Sequence, residues 1–450
     1  MIALSQLNFA GNCGNALISR RPSVEVCVLR NSLPTILIKE EMMRISSLIA
    51  RSAVSIITIL FLYAEPVYAQ TNDECNLPIS EIGISKEELM WRFFVAANCK
   101  TKNPDIPLAW QAWPEQSCLL AGGKDCTNIS GTQRLHPSIL AAKGATSPGP
   151  CQPMTTLYTM TNLDKREYGK FVPKNLTDQP VFCEEVHVNR AEADYIISPQ
   201  SGFNLQTLEG QKSYIKNSKQ KTINFPRAAL EIKADWMPAS SLRPSKTFNC
   251  DKPPSNLFVQ KIGAECYALV AMHFSSKLKE RWIWATFEAQ SDVTNPNGCD
   301  PDLYTECVDN WGSLNKTTRK GQPTIPTSNL LTLMNKAGID AAFKNYRLVG
   351  VQDNYYSPQY LSNSFVEFNA QVPRKDASCM TCHFNAAFTK NTEPITGNLN
   401  FGPFPGAPGT GIPLNSKVPS LDGWYLQDFS WLLGIMPAKG TTAAAQAGRK

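Results

Sequence analysis

Residues 265–290, "ECYALVAMHFSSKLKERWIWATFEAQ", decide the fold class of this chain of 450 residues. Two apolar runs with aromatic residues, 265–274 and 281–290, flank the polar stretch "SSKLKE". Apolar runs of this length on either side of a short polar connection are typical of antiparallel strands. The segment therefore predicts a β-hairpin.

Further strands are predicted on both sides of the hairpin. Apolar and polar residues alternate in "NFPRAALEIKADW" (224–236), which is the pattern of a strand with one buried face. The runs "RLVGVQ" (347–352) and "NSFVEFNAQV" (363–372) follow as two more strands. The central part of the chain is therefore predicted to be β-rich.

Helices are predicted around these strands. Residues 85–98, "SKEELMWRFFVAAN", combine a serine N-cap, a glutamate three residues later and an apolar stripe, which together indicate an amphipathic helix. Residues 327–346 predict another helix, residues 185–197 a helical patch, and "GWYLQDFSWLLGIM" (423–436) an aromatic helix. The predicted fold class is α+β, with a β-rich body, peripheral helices and a short helical segment at the C-terminal end.

An export signal is predicted at residues 43–69. Arg44 and Arg51 supply its basic region, residues 53–64 its apolar core, and small residues up to Ala69 its cleavage site. The apolar core has about 12 residues, fewer than the roughly 20 that span a bilayer, so an uncleaved membrane anchor is the less favoured interpretation. We expect a periplasmic or secreted protein, cleaved near Ala69 and left with no membrane span.

The cysteine count fits export. Of the 14 cysteines, two precede the signal and two stand in a C-x-x-C pair near the C-terminal end. The ten others predict up to five disulfides, because exported proteins fold in an oxidising compartment. The short loops from Cys118 to Cys126 and from Cys299 to Cys307 predict two of these bridges, and the other pairings are not readable from the sequence.

The charge balance argues against a nucleic-acid partner. The net charge is +6, and it falls to +4 once the six basic and four acidic residues of the first 69 are removed. No basic stripe interleaved with aromatic residues accompanies this mild excess. We therefore expect no nucleic-acid binding.

The motif that carries chemistry is C-x-x-C-H, formed by Cys379, Cys382 and His383 within "DASCMTCHFNAAF" (376–388). Covalent haem attachment needs two thiols that reach two vinyl groups and an adjacent imidazole for the iron, and this spacing at the start of a helix meets both demands. The motif predicts one covalent haem c, linked through Cys379 and Cys382, with His383 as the proximal iron ligand.

Three other interpretations of the motif stay open. A zinc half-site needs two more ligands, usually a second Cys or His pair, and the chain has no second C-x-x-C. A thioredoxin-like dithiol normally follows an early strand of a βαβ unit, whereas this motif comes late in a mixed chain. The two cysteines can also form a structural disulfide.

The stretch "SCMTCHFNAAF" (378–388) resembles the attachment helix of c-type cytochromes. Together with "RWIWATFEAQSD" (281–292) and "DFSWLL" (428–433), it resembles a group of poorly characterised exported bacterial proteins with a C-terminal cytochrome c domain. This chain departs from small cytochromes c in having strands before the motif and a weak C-terminal helix. That departure leaves the sixth iron ligand open.

Two residues are candidates for the sixth ligand. Met436 lies 53 residues after His383, beyond a Gly/Pro-rich loop, much as cytochromes c place their distal methionine; the alternative is a core residue that ends an apolar stripe. His273 lies in a predicted strand, where a half-buried, hydrogen-bonded histidine is the alternative. Candidate walls of a haem pocket, or ordinary core residues, are Trp424, Tyr425, Phe429 and Trp431.

Two functional hypotheses follow. The first is a monohaem electron carrier that exchanges single electrons with redox partner proteins of the periplasm. The second is a haem enzyme, peroxidase-like or oxidising a small molecule, with an open sixth coordination position; the length of the chain favours it, because one haem needs far less protein. A disulfide-rich binding module with bridged motif cysteines is a third and weaker hypothesis.

The sequence divides into four segments on this interpretation. They are residues 1–42 (a start-site artefact or an N-terminal extension), 43–69 (signal peptide), 70–370 (β-rich domain with disulfides) and 371–450 (cytochrome c-like haem-binding segment).

Overall fold

A computed structural model gives the fold of the chain. It describes residues 73–120, 151–153, 176–177, 181–197, 202–218, 222–244, 247–290, 307–315, 317–318, 323–355, 358, 360–361, 363, 365, 377–384, 386–389 and 424–434. These residues belong to one compact unit, Tyr68–Lys450. The predicted signal peptide and the residues before it lie outside the described residues.

The architecture is an antiparallel sheet with helices packed on it. In chain order the described strands are β1 (Cys151–Pro153), β2 (Val181–Val188), β3 (Leu230–Pro238), β4 (Val259–Ile262), β5 (Glu265–Ser276), β6 (Ile283–Ala289), β7 (Cys307–Val308), β8 (Thr317–Thr318), β9 (Tyr346–Gln352), β10 (Ala387–Thr389) and β11 (Trp424–Leu426). Seven of them form the main sheet in the order β1–β2–β3–β5–β6–β9, with β4 paired to β5. The other four form the pairs β7–β8 and β10–β11.

Helices cover both faces of this sheet. In the described part of the chain they are α1 (Lys86–Ala97), α2 (Gln116–Leu120), α3 (Arg190–Ile197), α4 (Leu208–Asn217), α5 (Ser328–Ala337), α6 (Cys379–Phe384) and α7 (Trp431–Gly434), with 3-10 turns at Asp73–Cys75, Ala109–Ala112, Ala239–Ser241 and Ala341–Asn345. A large antiparallel sheet with segregated helices confirms the predicted α+β class. None of the helices described here is both long and apolar enough to cross a lipid bilayer.

The predicted hairpin is confirmed. β5 and β6 pair in a register that places Ala271 opposite Glu288 and Ser276 opposite Ile283. The alternating stretch predicted as a strand is β3, which pairs along the other side of β5, and "RLVGVQ" is β9, which pairs with β6. Most of "NSFVEFNAQV" lies outside the described residues.

The first helix begins as predicted. The Ser85 hydroxyl accepts a hydrogen bond from the backbone N–H of Glu88 at 3.0 Å, which satisfies one of the N–H groups that a first helical turn leaves without an intrahelical partner. The helix is more deeply buried than an amphipathic stripe requires, since Leu89, Met90 and Phe94 are all at most 1% exposed. It is a core helix rather than a surface helix.

One face of the sheet forms the larger apolar core with α1 and α5. Phe94 of α1 lies against Phe287 of β6, with ring centroids 4.4 Å apart, and Phe343 lies 5.5 Å from Phe94. All three rings are fully buried. Burial of such a side chain contributes about 1.5–3 kcal/mol, so this layer is a main source of the stability of the fold.

The opposite face of the sheet carries the C-terminal elements. A second apolar cluster joins Trp284 of β6 and Val349 of β9 to Met380 of α6 and to Leu432 and Leu433 of α7. The motif helix α6 therefore packs against the same unit that contains the sheet.

Polar side chains cross this second face in one row. The pairing of β3, β5 and β6 places Lys233 opposite His273, and His273 opposite Thr286. Residues paired across adjacent strands point to the same face, so the three side chains lie next to one another. Lys233 and His273 are partly exposed, whereas Thr286 is buried. We call Lys233, His273 and Thr286 the polar row.

Disulfides support the predicted framework. The bridges between described residues are Cys75–Cys99 and Cys250–Cys266, and Cys118 and Cys183 are disulfide-bonded as well. Of the two bridges predicted from short loops, each has one cysteine, Cys126 or Cys299, outside the described residues.

Two predicted helices are wrong in part. His187 lies in β2, and the helix predicted around it begins only at Arg190. The aromatic stretch near the C-terminus is β11 followed by the short α7. A short apolar run fits a strand and a helix equally well, and tertiary packing decides between them. The helix predicted at 327–346 stops at Gly338, whose φ of 65° suits a helix C-terminus.

Candidate functional site

The C-x-x-C-H motif lies on the short helix α6. Ser378 precedes the helix, and its hydroxyl accepts a hydrogen bond from the backbone N–H of Thr381 at 3.4 Å, as an N-cap does. Cys379, Cys382 and His383 are three and four residues apart, so they lie on one side of the helix. The spacing needed to reach one ligand from one side is therefore present.

The sheet fixes the start of α6. Gln352, the last residue of β9, accepts a hydrogen bond from the backbone N–H of Met380 at 2.8 Å and donates one to the Ser378 hydroxyl at 3.1 Å. Gln352 and Met380 are fully buried. A helix of six residues is too short to be stable alone, so these contacts decide where the motif lies.

The two motif cysteines are thiols in this structure. Neither Cys379 nor Cys382 is disulfide-bonded, whereas other described cysteines are, namely Cys75, Cys99, Cys118, Cys183, Cys250 and Cys266. Cys379 is buried and Cys382 is partly exposed. This arrangement differs from the structural bridge that the sequence left as an alternative, and thiols are the form that makes thioether bonds.

His383 is held in one orientation by a backbone carbonyl. Its Nδ1 lies 2.7 Å from the carbonyl oxygen of Phe429, and a carbonyl can only accept, so Nδ1 carries the proton and donates. The lone pair of Nε2 is then the one that can bind a metal, and ligating histidines are oriented by this kind of bond.

The His383 ring is neutral at pH 7. Burial lowers the pKa of His383 to about 4; the hydrogen bond to Phe429 raises it, and the positive charge of Lys233 lowers it. A neutral imidazole is the form that ligates a metal.

The Phe429 carbonyl reaches His383 through an uncommon backbone conformation. Asp428 and Phe429 have φ values of 52° and 65°. In this left-handed region a residue with a side chain costs about 1–2 kcal/mol and persists only when its surroundings hold it there. The two residues turn the chain between β11 and α7 and direct the carbonyl at α6.

Aromatic side chains surround the motif. The ring centroid of Trp284 lies 5.8 Å from that of His383 and 5.6 Å from that of Phe429. The indole N–H of Trp431 donates a hydrogen bond to the carbonyl oxygen of Cys382 at 3.2 Å. Phe429 and Trp431, predicted as pocket walls, are therefore adjacent to the motif; Trp424 and Tyr425 belong to β11.

The polar row lies within electrostatic reach of His383. Burial, first, and then the positive charge of Lys233 and the neighbouring His383 imidazole hold the pKa of His273 well below its usual value. Lys233 also acts on His383. Burial would lower the pKa of Lys233, but neighbouring carboxylates, Glu184 first, raise it, so Lys233 keeps its charge. Among the described residues, no group of three His, Cys, Asp or Glu side chains is placed to hold a metal ion.

Of the two predicted candidates for the sixth ligand, His273 lies within electrostatic reach of His383. Met436, the other candidate, lies outside the described residues. His187, for which the sequence predicts no role, is a buried residue. Its Nδ1 lies 2.8 Å from the carbonyl oxygen of Trp113.

Sequence reasoning missed two contributors to this site. Lys233 was identifiable in principle, because the alternation in residues 224–236 places it between buried apolar residues of one strand. The Phe429 carbonyl was not, because Phe429 was considered only for its ring, and no glycine marks the left-handed turn.

Comparison with known proteins finds no matching family model, no matching curated protein and no matching solved structure. The likeness to c-type cytochromes therefore rests on the residues of the motif and their surroundings.

Proposed function

We propose that this chain is an exported c-type cytochrome that carries one covalent haem and transfers single electrons between redox partner proteins. The observation that supports this most is the hydrogen bond from His383 Nδ1 to the Phe429 carbonyl, beside two thiols on the same short helix. A core histidine can make such a bond too. Its combination with thiols three residues apart is what covalent haem attachment requires.

The residues present fit the group. Cys379 and Cys382 would hold a haem through thioether bonds, and His383 would bind its iron through Nε2. A bound haem would supply a reversible one-electron change at the iron. The protein itself orients the imidazole through Phe429 and packs Trp284 against it, which limits water on the proximal side.

The disulfides support the proposal. The disulfides Cys75–Cys99 and Cys250–Cys266 are compatible with an oxidising compartment, and covalent haem is normally attached outside the cytoplasm. The predicted signal at residues 43–69 would deliver the chain there.

The test is to produce residues 43–450 in a bacterial periplasm that has haem-attachment machinery. We expect the purified protein to show a haem spectrum that stays with the chain in denaturant. The double variant Cys379→Ser/Cys382→Ser should lose this covalent haem. As a matched control, Cys250→Ser/Cys266→Ser removes two sulfur atoms elsewhere and should keep it. Absence of covalent haem from the unmodified chain would overturn the proposal.

A haem enzyme with an open sixth coordination position is the second candidate, and the polar row favours it. Lys233, His273 and Thr286 place a cation, an imidazole and a hydroxyl on the sheet face near His383. An electron carrier needs no such groups, whereas an enzyme uses an imidazole to hold or move a proton.

Carbon monoxide separates the two candidates. A reduced spectrum that carbon monoxide leaves unchanged would support a filled sixth position and the electron carrier. A spectrum that shifts would support the enzyme. In the first case, Met436→Ala and His273→Ala identify the ligand, because only the variant that lacks it should bind carbon monoxide.

A further inference from the structure

We propose that the buried ion pair between Lys277 and Asp428 positions the proximal ligand, by holding the Phe429 carbonyl against His383. The role as a ligand rests on the proposed function; the contact between Phe429 and His383 does not. Lys277 and Asp428 are then positioning residues that act on the imidazole through the backbone.

The ion pair is short and largely buried. Lys277 Nζ lies 2.6 Å from Asp428 Oδ1, and the two side chains are 5% and 9% exposed. Charged hydrogen bonds in such surroundings are stronger and more rigid than exposed ones. This pair can therefore fix the backbone of Asp428, which is the residue before Phe429.

Lys277 is itself fixed to the sheet. It directly follows β5, its backbone N–H donates to the carbonyl oxygen of Ala229 at 3.0 Å, and its ammonium also donates to the carbonyl oxygen of Glu280 at 2.5 Å. The lysine thus connects the end of the central strand to the C-terminal segment, 151 residues further along the chain.

Asp428 is held from a second direction. Its Oδ2 accepts a hydrogen bond from the backbone N–H of Phe225 at 2.7 Å, so both carboxylate oxygens are engaged. Asp428 and Phe429 both have left-handed φ values, and neither is a glycine, the residue type that adopts such values without strain. The carboxylate contacts are what holds this turn, and the turn directs the Phe429 carbonyl at His383 Nδ1, 2.7 Å away.

The geometry predicts how a haem would respond. A hydrogen bond from the second nitrogen of a ligating histidine raises the basicity of the first and orients the ring. Loosening the Phe429 carbonyl should weaken this effect. The less basic ligand would stabilise the oxidised iron less, so the midpoint potential should rise.

Two conservative variants test the inference. A cavity of about 390 Å³ borders the pair, so Lys277→Met is preferred to alanine, because it removes the charge without enlarging that space much. Asp428→Asn keeps an oxygen for Phe225 and tolerates a left-handed φ. The matched control is Lys279→Met, two residues after Lys277. It breaks the ion pair between Lys279 and Asp353 and leaves the Phe429 turn untouched.

Two readouts are measured on folded protein, with circular dichroism as the check of folding. The first is the tautomer of His383 in the haem-free full chain, from ¹H–¹⁵N spectra of histidine-labelled protein, assigned with His383→Asn. The second is the midpoint potential of the haem-loaded chain. We expect both variants to lose the pure Nδ1–H tautomer and to shift the ratio of reduced to oxidised protein at fixed potential at least about threefold toward reduced.

The inference would be overturned if the folded Lys277→Met and Asp428→Asn variants kept the His383 tautomer and the midpoint potential of the unmodified protein. They would then not differ from Lys279→Met. That result would leave the proposed function standing. If no haem attaches to any version, the proposed function fails, and the tautomer of the haem-free chain still decides whether the ion pair positions His383.

Discussion

Arg347 and Glu288 form a buried ion pair between β9 and β6, with Nη2 of the arginine 2.7 Å from Oε2 of the glutamate. They are register partners on β9 and β6, and their side chains are 1% and 0% exposed. Two charges this deep are each costly to bury, and each is tolerated because the other is present. The pair therefore makes the packing of β9 against β6 depend on both residues.

Breaking this pair should be strongly destabilising. Arg347→Met leaves the Glu288 carboxylate buried without its cation, and we expect a loss of about 3–5 kcal/mol in the free energy of unfolding, measured by urea denaturation. The double variant Arg347→Met/Glu288→Leu should recover much of that loss. As a control, Arg190→Met breaks a half-exposed pair with Asp194 and should cost less than about 1 kcal/mol. Equal losses at both sites would contradict the prediction.

Glu192 should make stability fall as the pH rises. It is fully buried, and no described residue donates a hydrogen bond to either carboxylate oxygen; burial, first, and then the charges of Glu231 and Asp428 raise the pKa of Glu192 well above 4.5. Above pH 4.5 the unfolded chain releases this proton and the folded chain keeps it, so the free energy of unfolding decreases by up to about 1.4 kcal/mol per pH unit.

Glu192→Gln removes that dependence, because glutamine resembles the protonated acid. We expect the variant to be more stable than the unmodified protein at pH 7, and the two to converge below about pH 4. Thermal melts across this range measure the difference. A difference that does not change with pH would show that Glu192 is not protonated in the folded state.

Gln352 should control access to the motif. Gln352→Ala leaves the buried N–H of Met380 without its acceptor, at a cost of about 1–3 kcal/mol, and frees the start of α6. We expect faster reaction of Cys379 with a thiol reagent in the haem-free chain. Gln111→Ala is the control: it removes a buried hydrogen bond to Gln260 beside the larger apolar core, on the other face of the sheet, so it should lower stability without changing that rate. Equal labelling rates in all three proteins would contradict the proposed tether.

The disulfide Cys75–Cys99 should be a large contributor to stability. It closes a loop across 24 residues and ties the start of the described chain to the end of α1. Its removal by Cys75→Ala/Cys99→Ala should cost about 3 kcal/mol, chiefly through greater freedom of the unfolded chain. Urea denaturation measures the loss. Reductant should destabilise the unmodified protein more than this variant, since the variant has one bridge fewer to lose.

The sequence predicts most of the sheet, because the alternation of apolar and polar residues and the length of apolar runs are local signals, and burial of the apolar residues stabilises the strands that they predict. The hairpin, β3, β9 and the Ser85 cap of α1 all follow from such signals. His187 was misassigned because residues 185–197 contain a strand and then a helix, and their apolar residues do not show where one ends.

The site is less readable than the sheet. The C-x-x-C-H pattern identifies Cys379, Cys382 and His383. The hydrogen-bond acceptor for His383 is a backbone carbonyl 46 residues later, and every residue type has such a carbonyl. Lys277 and Asp428 look like ordinary surface charges in the sequence, since only the folded chain brings them together. Long-range pairing of this kind leaves no local pattern.

The burial of Cys379 would also set the order of haem attachment and folding on the proposed function. Cys379 is 8% exposed with α6 packed on the sheet, and Met380 beside it is fully buried. If the chain carries the proposed haem, a flat group as large as a porphyrin has to reach this thiol before the C-terminal segment settles on the sheet. Haem attachment and folding would then compete in time, and a chain that folded first would stay without haem.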